Sequence, residues 1–261
     1  MFSLHRKWDE MNTTELIQRW QADAEKLFSG WDFSYIQDRY EEENPTWDFV
    51  SIARSLAEKT RWVLDMGTGG GEMLSALAPQ LPKNTFATEG YPPNIPIAQA
   101  KLARHGISVI PYDSDTDAHM PFRDASFDLI LNRHEAFDAS EVFRILKPRG
   151  YFLTQQVDGY DLADLKAHFD KTPEYPHIVL EPIRNGLENA GFQIERAETW
   201  QGAARFHDVG ALVYFLHAVP WDAPEDFTVE RYQKQLLELE ALPKPLSFTC
   251  KRFVIVAYKP E

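Results

Sequence analysis

One run limits the fold of this chain more than any other: Val63-Leu-Asp-Met-Gly-Thr-Gly-Gly-Gly-Glu-Met-Leu74. A short apolar stretch (Trp62, Val63, Leu64) ends in an acid, Asp65. Glycines follow at Gly67, Gly69, Gly70 and Gly71, and a helix-like segment begins at Glu72. Strand, tight glycine turn and helix is the arrangement by which an α/β sheet brings backbone N–H groups and a helix N-terminus to a nucleotide-like ligand. The glycine order narrows the ligand. A dinucleotide fingerprint, G-x-G-x-x-G, needs a third glycine at position 72 or 74, which are Glu72 and Leu74. A Walker phosphate loop ends in Gly-Lys-Ser/Thr, and this run has no lysine. An acid ahead of the first glycine would repel a pyrophosphate and suits a ligand with a cationic end.

Four further segments follow in order. Asn84-Thr-Phe-Ala-Thr-Glu89 is a short strand ending in an acid 24 residues after Asp65. An acid so placed can accept both hydroxyls of a ribose, as in dinucleotide folds. Ser108-Val-Ile-Pro-Tyr-Asp113-Ser-Asp115 is a third strand ending in polar residues. Met120-Pro-Phe-Arg-Asp-Ala-Ser-Phe-Asp-Leu-Ile-Leu131 and Arg144-Ile-Leu-Lys-Pro-Arg-Gly-Tyr-Phe-Leu153 complete the series. Over roughly residues 50–157 the chain resembles the class I S-adenosylmethionine-dependent methyltransferases. Their first motif has the form D-x-G-x-G-x-G, and later segments read "LPF-x-(D/N)-x-SFD" and "R-x-LKPGG". Two departures stand out: Met120 replaces the leucine of "LPF", and Arg149 the first glycine of "LKPGG". Neither removes a required chemical group.

The resemblance implies S-adenosylmethionine as cofactor and a doubly wound, mostly parallel, seven-stranded sheet with a helical cap. It implies cofactor contacts from Asp65, Gly67, Thr68, Gly69, Gly71, Glu89, Gly90, Asp113, Ser114, Asp115 and Asn132. Asp65 would hold the ligand's ammonium and Glu89 its ribose. Asp113, Ser114 or Asp115 would reach the adenine amino group, with Asp115 favoured by counting back from Met120. Tyr91 and Pro92 can pack on the adenine. Asn132 would act through backbone or side chain. After the fourth strand come Arg133 and His134. His134 is the candidate catalytic residue, since its ordinary pKa suits a general base for a hydroxyl, amine or carboxylic nucleophile. Arg133 can pair with an anionic acceptor.

Alternation of strands (61–65, 84–88, 107–111, 127–131, 150–157, 191–200, 248–258) with helices (46–59, 71–78, 92–104, 138–146, 179–190) predicts the parallel sheet, the last strand lying antiparallel beside the sixth. Residues 31–45, aromatic and acidic, read as a loop after an amphipathic helix at 13–29. Residues 1–45 are expected to form a cap segment and 46–261 the methyltransferase domain. An insert at about 203–245 carries helices at 208–218 and 228–242. With the N-terminal helices it would cover the sheet's carboxyl edge, where such sheets bind ligands. Trp31, Tyr35, Tyr40, Trp200 and Trp221 are candidate lining residues.

Composition sets the remaining bounds. The chain is 44% hydrophobic, enough for a sizeable core. Its net charge of −13 lacks the basic footprint usual for a phosphate-gripping protein. Cys250 is the only cysteine, so neither a disulfide framework nor a cysteine-rich zinc site fits. His207, Asp208 and His217 lack metal-ligand spacing, and no metal is expected. There is no G-x-S-x-G serine elbow. No apolar stretch has secretory or membrane-spanning form, so a cytoplasmic location and no membrane partner are expected. The expected function is methyl transfer to an unidentified, small-molecule acceptor. RNA methylation is one alternative, set back by the acidic balance and by the missing zinc-binding cysteines of one group of such enzymes. A non-catalytic adenosylmethionine-binding regulator is the other.

Overall fold

The computed structural model describes residues 13–28, 32–114, 116–117 and 119–261. In chain order the elements are α1 (Thr13–Ala24), β1 (Tyr40–Glu42), α2 (Phe49–Ala57), β2 (Trp62–Met66), α3 (Glu72–Leu77), β3 (Asn84–Glu89), α4 (Asn94–Ala103), β4 (Ser108–Pro111) and β5 (Phe127–Arg133). Then come α5 (Ala139–Ile145), β6 (Leu146–Val157), α6 (Ala163–His168), α7 (Leu180–Asn189), β7 (Gln193–Phe206), α8 (Val209–Ala218), α9 (Gln233–Glu240) and β8 (Leu246–Tyr258).

The strands make one sheet in the order β1-β7-β8-β6-β5-β2-β3-β4. β2 to β6 run parallel, and β8 lies antiparallel between β6 and β7. Their apolar runs are continuous because both faces are covered. Val63, Leu129, Leu131, Leu153 and Val254 pack with Trp47, Phe49 and Ala53 on the α2 face. Leu64, Ile130, Phe152, Phe253 and Ile255 pack with α5 and α7 on the other.

The strand count differs from the seven expected: there are eight. The added strand, β1, falls in the segment read as a loop. Three residues are too few to show a period, and two of these are acids. Their pairing partners are remote: Tyr40 lies opposite Phe206 and Glu42 opposite Ala204. The Tyr40 ring sits 4.9 Å from that of Phe206 and 5.5 Å from that of Phe215. Tertiary contact alone selects the strand. The helix α6 was also absent from the sequence reading, and β7 runs to Phe206 rather than Trp200.

That extra length matters. The last paired residue of β6, Val157, lies opposite Arg252. From Gln201↔Lys251 to Phe206↔Leu246, β7 and β8 therefore continue past the carboxyl ends of the parallel strands. Trp20 of α1, Leu165 of α6, α8 and Leu236 and Leu239 of α9 pack around this projection in a separate core. Nine of the ten α8 residues are buried, as expected of a helix that is apolar all round.

Candidate cofactor and acceptor site

The carboxyl ends of β2, β3 and β5 bring the sequence-predicted residues together. Asp65 is 1% exposed. Its Oδ2 and the Thr68 hydroxyl are both buried and make no hydrogen bond among the described residues. Burial pushes the Asp65 carboxyl up to about 7; nearby Thr68 and the charge of Arg133 oppose this, and the charge of Glu89 adds to it. A buried carboxylate oxygen without a donor is costly, so native proteins rarely keep one without a use.

The turn after Asp65 is built on left-handed backbone at Gly67 (φ +63°) and Gly69 (φ +61°). The two glycines serve different ends. A Cβ on Gly67 would lie 2.4 Å from the Glu135 side chain, so its bareness admits a protein neighbour. A Cβ on Gly69 would meet nothing within 4 Å, so its bareness faces open space. Gly71 packs against Leu102, and Gly90 against the backbone of Tyr112 and Asp113. The turn is pinned by Gly69 N–H donating to Glu89 Oε2 at 2.6 Å and by Thr68 N–H donating to the Thr88 carbonyl at 2.9 Å.

Glu89 is 5% exposed. Its other oxygen accepts from Tyr91 N–H at 2.9 Å. Burial raises its pKa despite these donors. Each oxygen still has a lone pair to offer. Tyr91 is 63% exposed beside it. Ser114 Oγ donates to Glu135 at 3.0 Å, and Asp113 N–H donates to Asp117 at 3.0 Å, which shapes the loop after β4. Asp115 lies outside the described residues, as does Trp31.

The tip of β5 has a character the sequence did not reveal. Asn132 is fully buried; its Oδ1 accepts from Thr154 Oγ1 and Gln156 Nε2, and its Nδ2 donates to the Glu135 carbonyl. Its side chain is thus engaged within the fold, and the residue is paired in the sheet with Met66 and Thr154. His134 has φ +63°, a left-handed conformation unusual for a non-glycine residue. Its N–H donates to the Gln155 carbonyl at 2.8 Å. Gln155 Nε2 and His134 Nε2 are 3.0 Å apart, and Gln155 Oε1 accepts from Trp47 Nε1 at 2.7 Å.

The direction of this chain follows from one fact. Indole nitrogen only donates, so the Gln155 atom facing Trp47 is its oxygen and the atom facing His134 is its NH₂. His134 Nε2 therefore accepts, and its proton sits on Nδ1. The residue is exposed to solvent. Desolvation by the surrounding protein, then repulsion from Arg252 and Arg133, holds its pKa well below the ordinary value. The residue expected as a base thus has its Nε2 engaged by Gln155, and its surroundings disfavour the charged ring.

Arg133 is exposed beside it and makes no hydrogen bond or ion pair among the described residues. It feels the charges of Asp65 and Glu42 in its favour and Arg252 against it. Arg252, by contrast, is clamped by Asp161 at 2.5 Å and Glu42 at 2.7 Å. His207 pairs with Glu41, and Asp208 caps α8 and pairs with Arg39.

This sheet order, with an acid and glycine turn after the central strand and a second acid after its neighbour, defines the class I methyltransferase fold. Residues 64–154 match the family model described as a methyltransferase domain. The uncharacterized methyltransferase YcgJ of Bacillus subtilis is 30% identical over 109 residues, 39% of this chain and 42% of YcgJ. The biotin biosynthesis bifunctional protein BioHC of Teredinibacter turnerae is 26% identical over 178 residues, 60% of this chain and 31% of BioHC. Each match thus spans less than half of the relative's length. A methyltransferase candidate from Bacillus halodurans superposes with a TM-score of 0.58 over 82% of this chain and 99% of its own, at 21% identity, which shows the shared fold.

Proposed function

We propose that this protein binds S-adenosylmethionine at the Asp65–Glu89 edge and transfers its methyl group to a small-molecule acceptor held between that edge and the β7/β8 projection. The observation that carries the reading is Asp65. Its buried, undonated oxygen lies beside a glycine turn whose Gly69 opens onto free space. A ligand with an ammonium group would supply the missing donor.

The residues fit the cofactor's other parts. Glu89 offers remaining lone pairs to ribose hydroxyls. The loop at Asp113 and Ser114 offers polar groups to a purine edge, and Tyr91 offers an aromatic face. When bound, S-adenosylmethionine supplies a methyl group already made electrophilic by its sulfonium. What the chain must then add is alignment and exclusion of water. His134, with Nε2 committed to Gln155, orients rather than deprotonates. The net charge of −13 disfavours an RNA backbone and supports the small-molecule reading.

Calorimetric titration with S-adenosylhomocysteine, the demethylated product, tests the proposal. Saturable binding at one site per chain is expected. Absence of heat together with absence of a thermal shift would overturn it.

A further inference from the structure

We infer that Arg133 and the Nδ1–H of His134 form a two-donor subsite for an oxyanion on the acceptor, most simply a carboxylate; this rests on the methyl-transfer reading above and names the acceptor's class.

Three observations converge on it. First, Arg133 is an exposed cation without an ion pair among the described residues, placed at the carboxyl end of β5 where it feels the charges of Asp65 and Glu42, whereas the more buried arginines are partnered. Arg39 pairs with Asp23 and Asp208, Arg144 with Glu141 and Asp124, and Arg252 with Glu42 and Asp161. A guanidinium left unpaired and open to solvent is suited to gripping a planar oxyanion.

Second, the two donors are placed on the same side. Arg133 lies opposite Gln155 in the β5–β6 register, and Asp65 lies opposite Leu131. Arg133 is thus two residues further out than the acid assigned to the cofactor, towards Glu42 and Arg252. Strand alternation would put His134 on the opposite face. The left-handed backbone at His134 breaks that alternation and turns its ring to Gln155, on the Arg133 side. A non-glycine residue held in such a conformation costs of order 1 kcal/mol, which points to a use for the placement.

Third, the Trp47–Gln155–His134 chain fixes the tautomer. Trp47 and Gln155 are both buried, 6% and 5% exposed, so the chain is rigid. It presents Nδ1–H outwards as a donor with no partner among the hydrogen bonds of the described residues. A donor and a cation side by side favour a group that only accepts. An amine acceptor would meet a cation and a donor, and gains nothing from either.

The test uses the intact protein saturated with S-adenosylhomocysteine, following the His134 ring by proton–nitrogen NMR. Acetate and benzoate are the probes, with acetamide and benzamide as neutral counterparts. Both carboxylates are expected to shift the Nδ1–H signal and saturate. The amides are expected to bind at least about tenfold more weakly, the difference between a charged and a neutral hydrogen-bonded pair. Arg133→Gln should weaken carboxylate binding at least about tenfold, Arg133→Lys should restore part of it, and both should leave affinity for S-adenosylhomocysteine within about threefold. Gln155→Glu should move the ring proton to Nε2 and weaken the carboxylate response. No saturable response to either carboxylate would overturn the inference, as would equal response to the amides. So would a tenfold loss of S-adenosylhomocysteine affinity in Arg133→Gln, which would give Arg133 to the cofactor's own carboxylate. The calorimetry of the wild type reports on the cofactor reading separately.

Discussion

Two clusters of buried acids lie a short distance apart on this sheet, and they are built on opposite plans. Behind the β7/β8 projection, Arg252 bridges Glu42 and Asp161, Lys166 pairs with Asp222 at 2.7 Å, and Asp161 also accepts from Lys251 N–H. These groups come from β1, β8, the β6–α6 connection, α6 and the turn after α8, so the cluster ties the projection's core to the sheet. At the tip of β2, Asp65 is as deeply buried and has an oxygen with no donor among the described residues. Burial pushes the Asp161 carboxyl up to about 6 and that of Asp65 up to about 7. Similar desolvation thus acts on both, but only the first cluster contains its own countercharges. The contrast separates acids that serve the fold from an acid that, on the proposed reading, serves a ligand.

The comparison predicts that the same kind of mutation has opposite consequences in the two places. Arg252→Met strands the buried Asp161 carboxylate and leaves the exposed Glu42 unpaired, and removing one partner of a buried ion pair costs about 3–5 kcal/mol. Its melting temperature should fall steeply, as read by calorimetry; an unchanged value would mean that the cluster is not cooperative. Asp65→Asn should do the reverse. The fold loses a strained acid and should be as stable or more so, while S-adenosylhomocysteine affinity drops by about 2–5 kcal/mol, the range for an unpaired charged partner. A variant that melts lower but still binds would dissolve the distinction.

Gly69→Val comes next. Valine at φ +61° is strained by about 1–3 kcal/mol, and its side chain would enter the open space above the turn. Binding should be lost by calorimetry while circular dichroism still reports a folded chain. The pH dependence is gentler. An unfolded aspartate ionises near 4, whereas Asp65 holds its proton to about 7. With its folded pKa raised, this acid subtracts stability progressively between those values, and Asp65→Asn should remove that slope. Ligand binding runs the other way, because an ammonium needs the carboxylate. Affinity for S-adenosylhomocysteine should rise from about pH 6 to about pH 8 and release a proton at the lower end, seen as buffer-dependent heat. The smallest effect belongs to Arg149, held at φ +66° where the family's "LKPGG" turn has glycine. Its pairing with Glu261 is exposed and worth little. Arg149→Gly should raise stability by up to about 1 kcal/mol and leave binding untouched.

Much of the proposed cofactor edge could be placed from the sequence because it is local. Asp65, the glycine turn and Glu89 lie on consecutive strand ends, and each carries its chemistry in its own residue type. The glycines were less legible in detail: sequence cannot tell that Gly67 makes room for Glu135 and Gly69 for open space. The acceptor side was hidden for a different reason. Trp47 and Gln155 are 108 residues apart, and a buried glutamine has no signature in a strand. Nothing in Asn132-Arg-His-Glu135 announces a left-handed histidine. The same holds for β1, whose three residues become a strand only because the edge of β7 lies open beside them.

That edge has a mechanical consequence. β8 starts among the helices of the outer core and ends in the middle of the sheet, without a break along thirteen residues. A roof joined to its floor by a loop can swing like a door. This one is carried on a beam that runs on into the floor, so swinging it open would tear ladder hydrogen bonds from β7. Movement on this side of the sheet is therefore left to side chains and loops around the beam, and the spacing between Asp65 and the Arg252 cluster stays fixed while they shift.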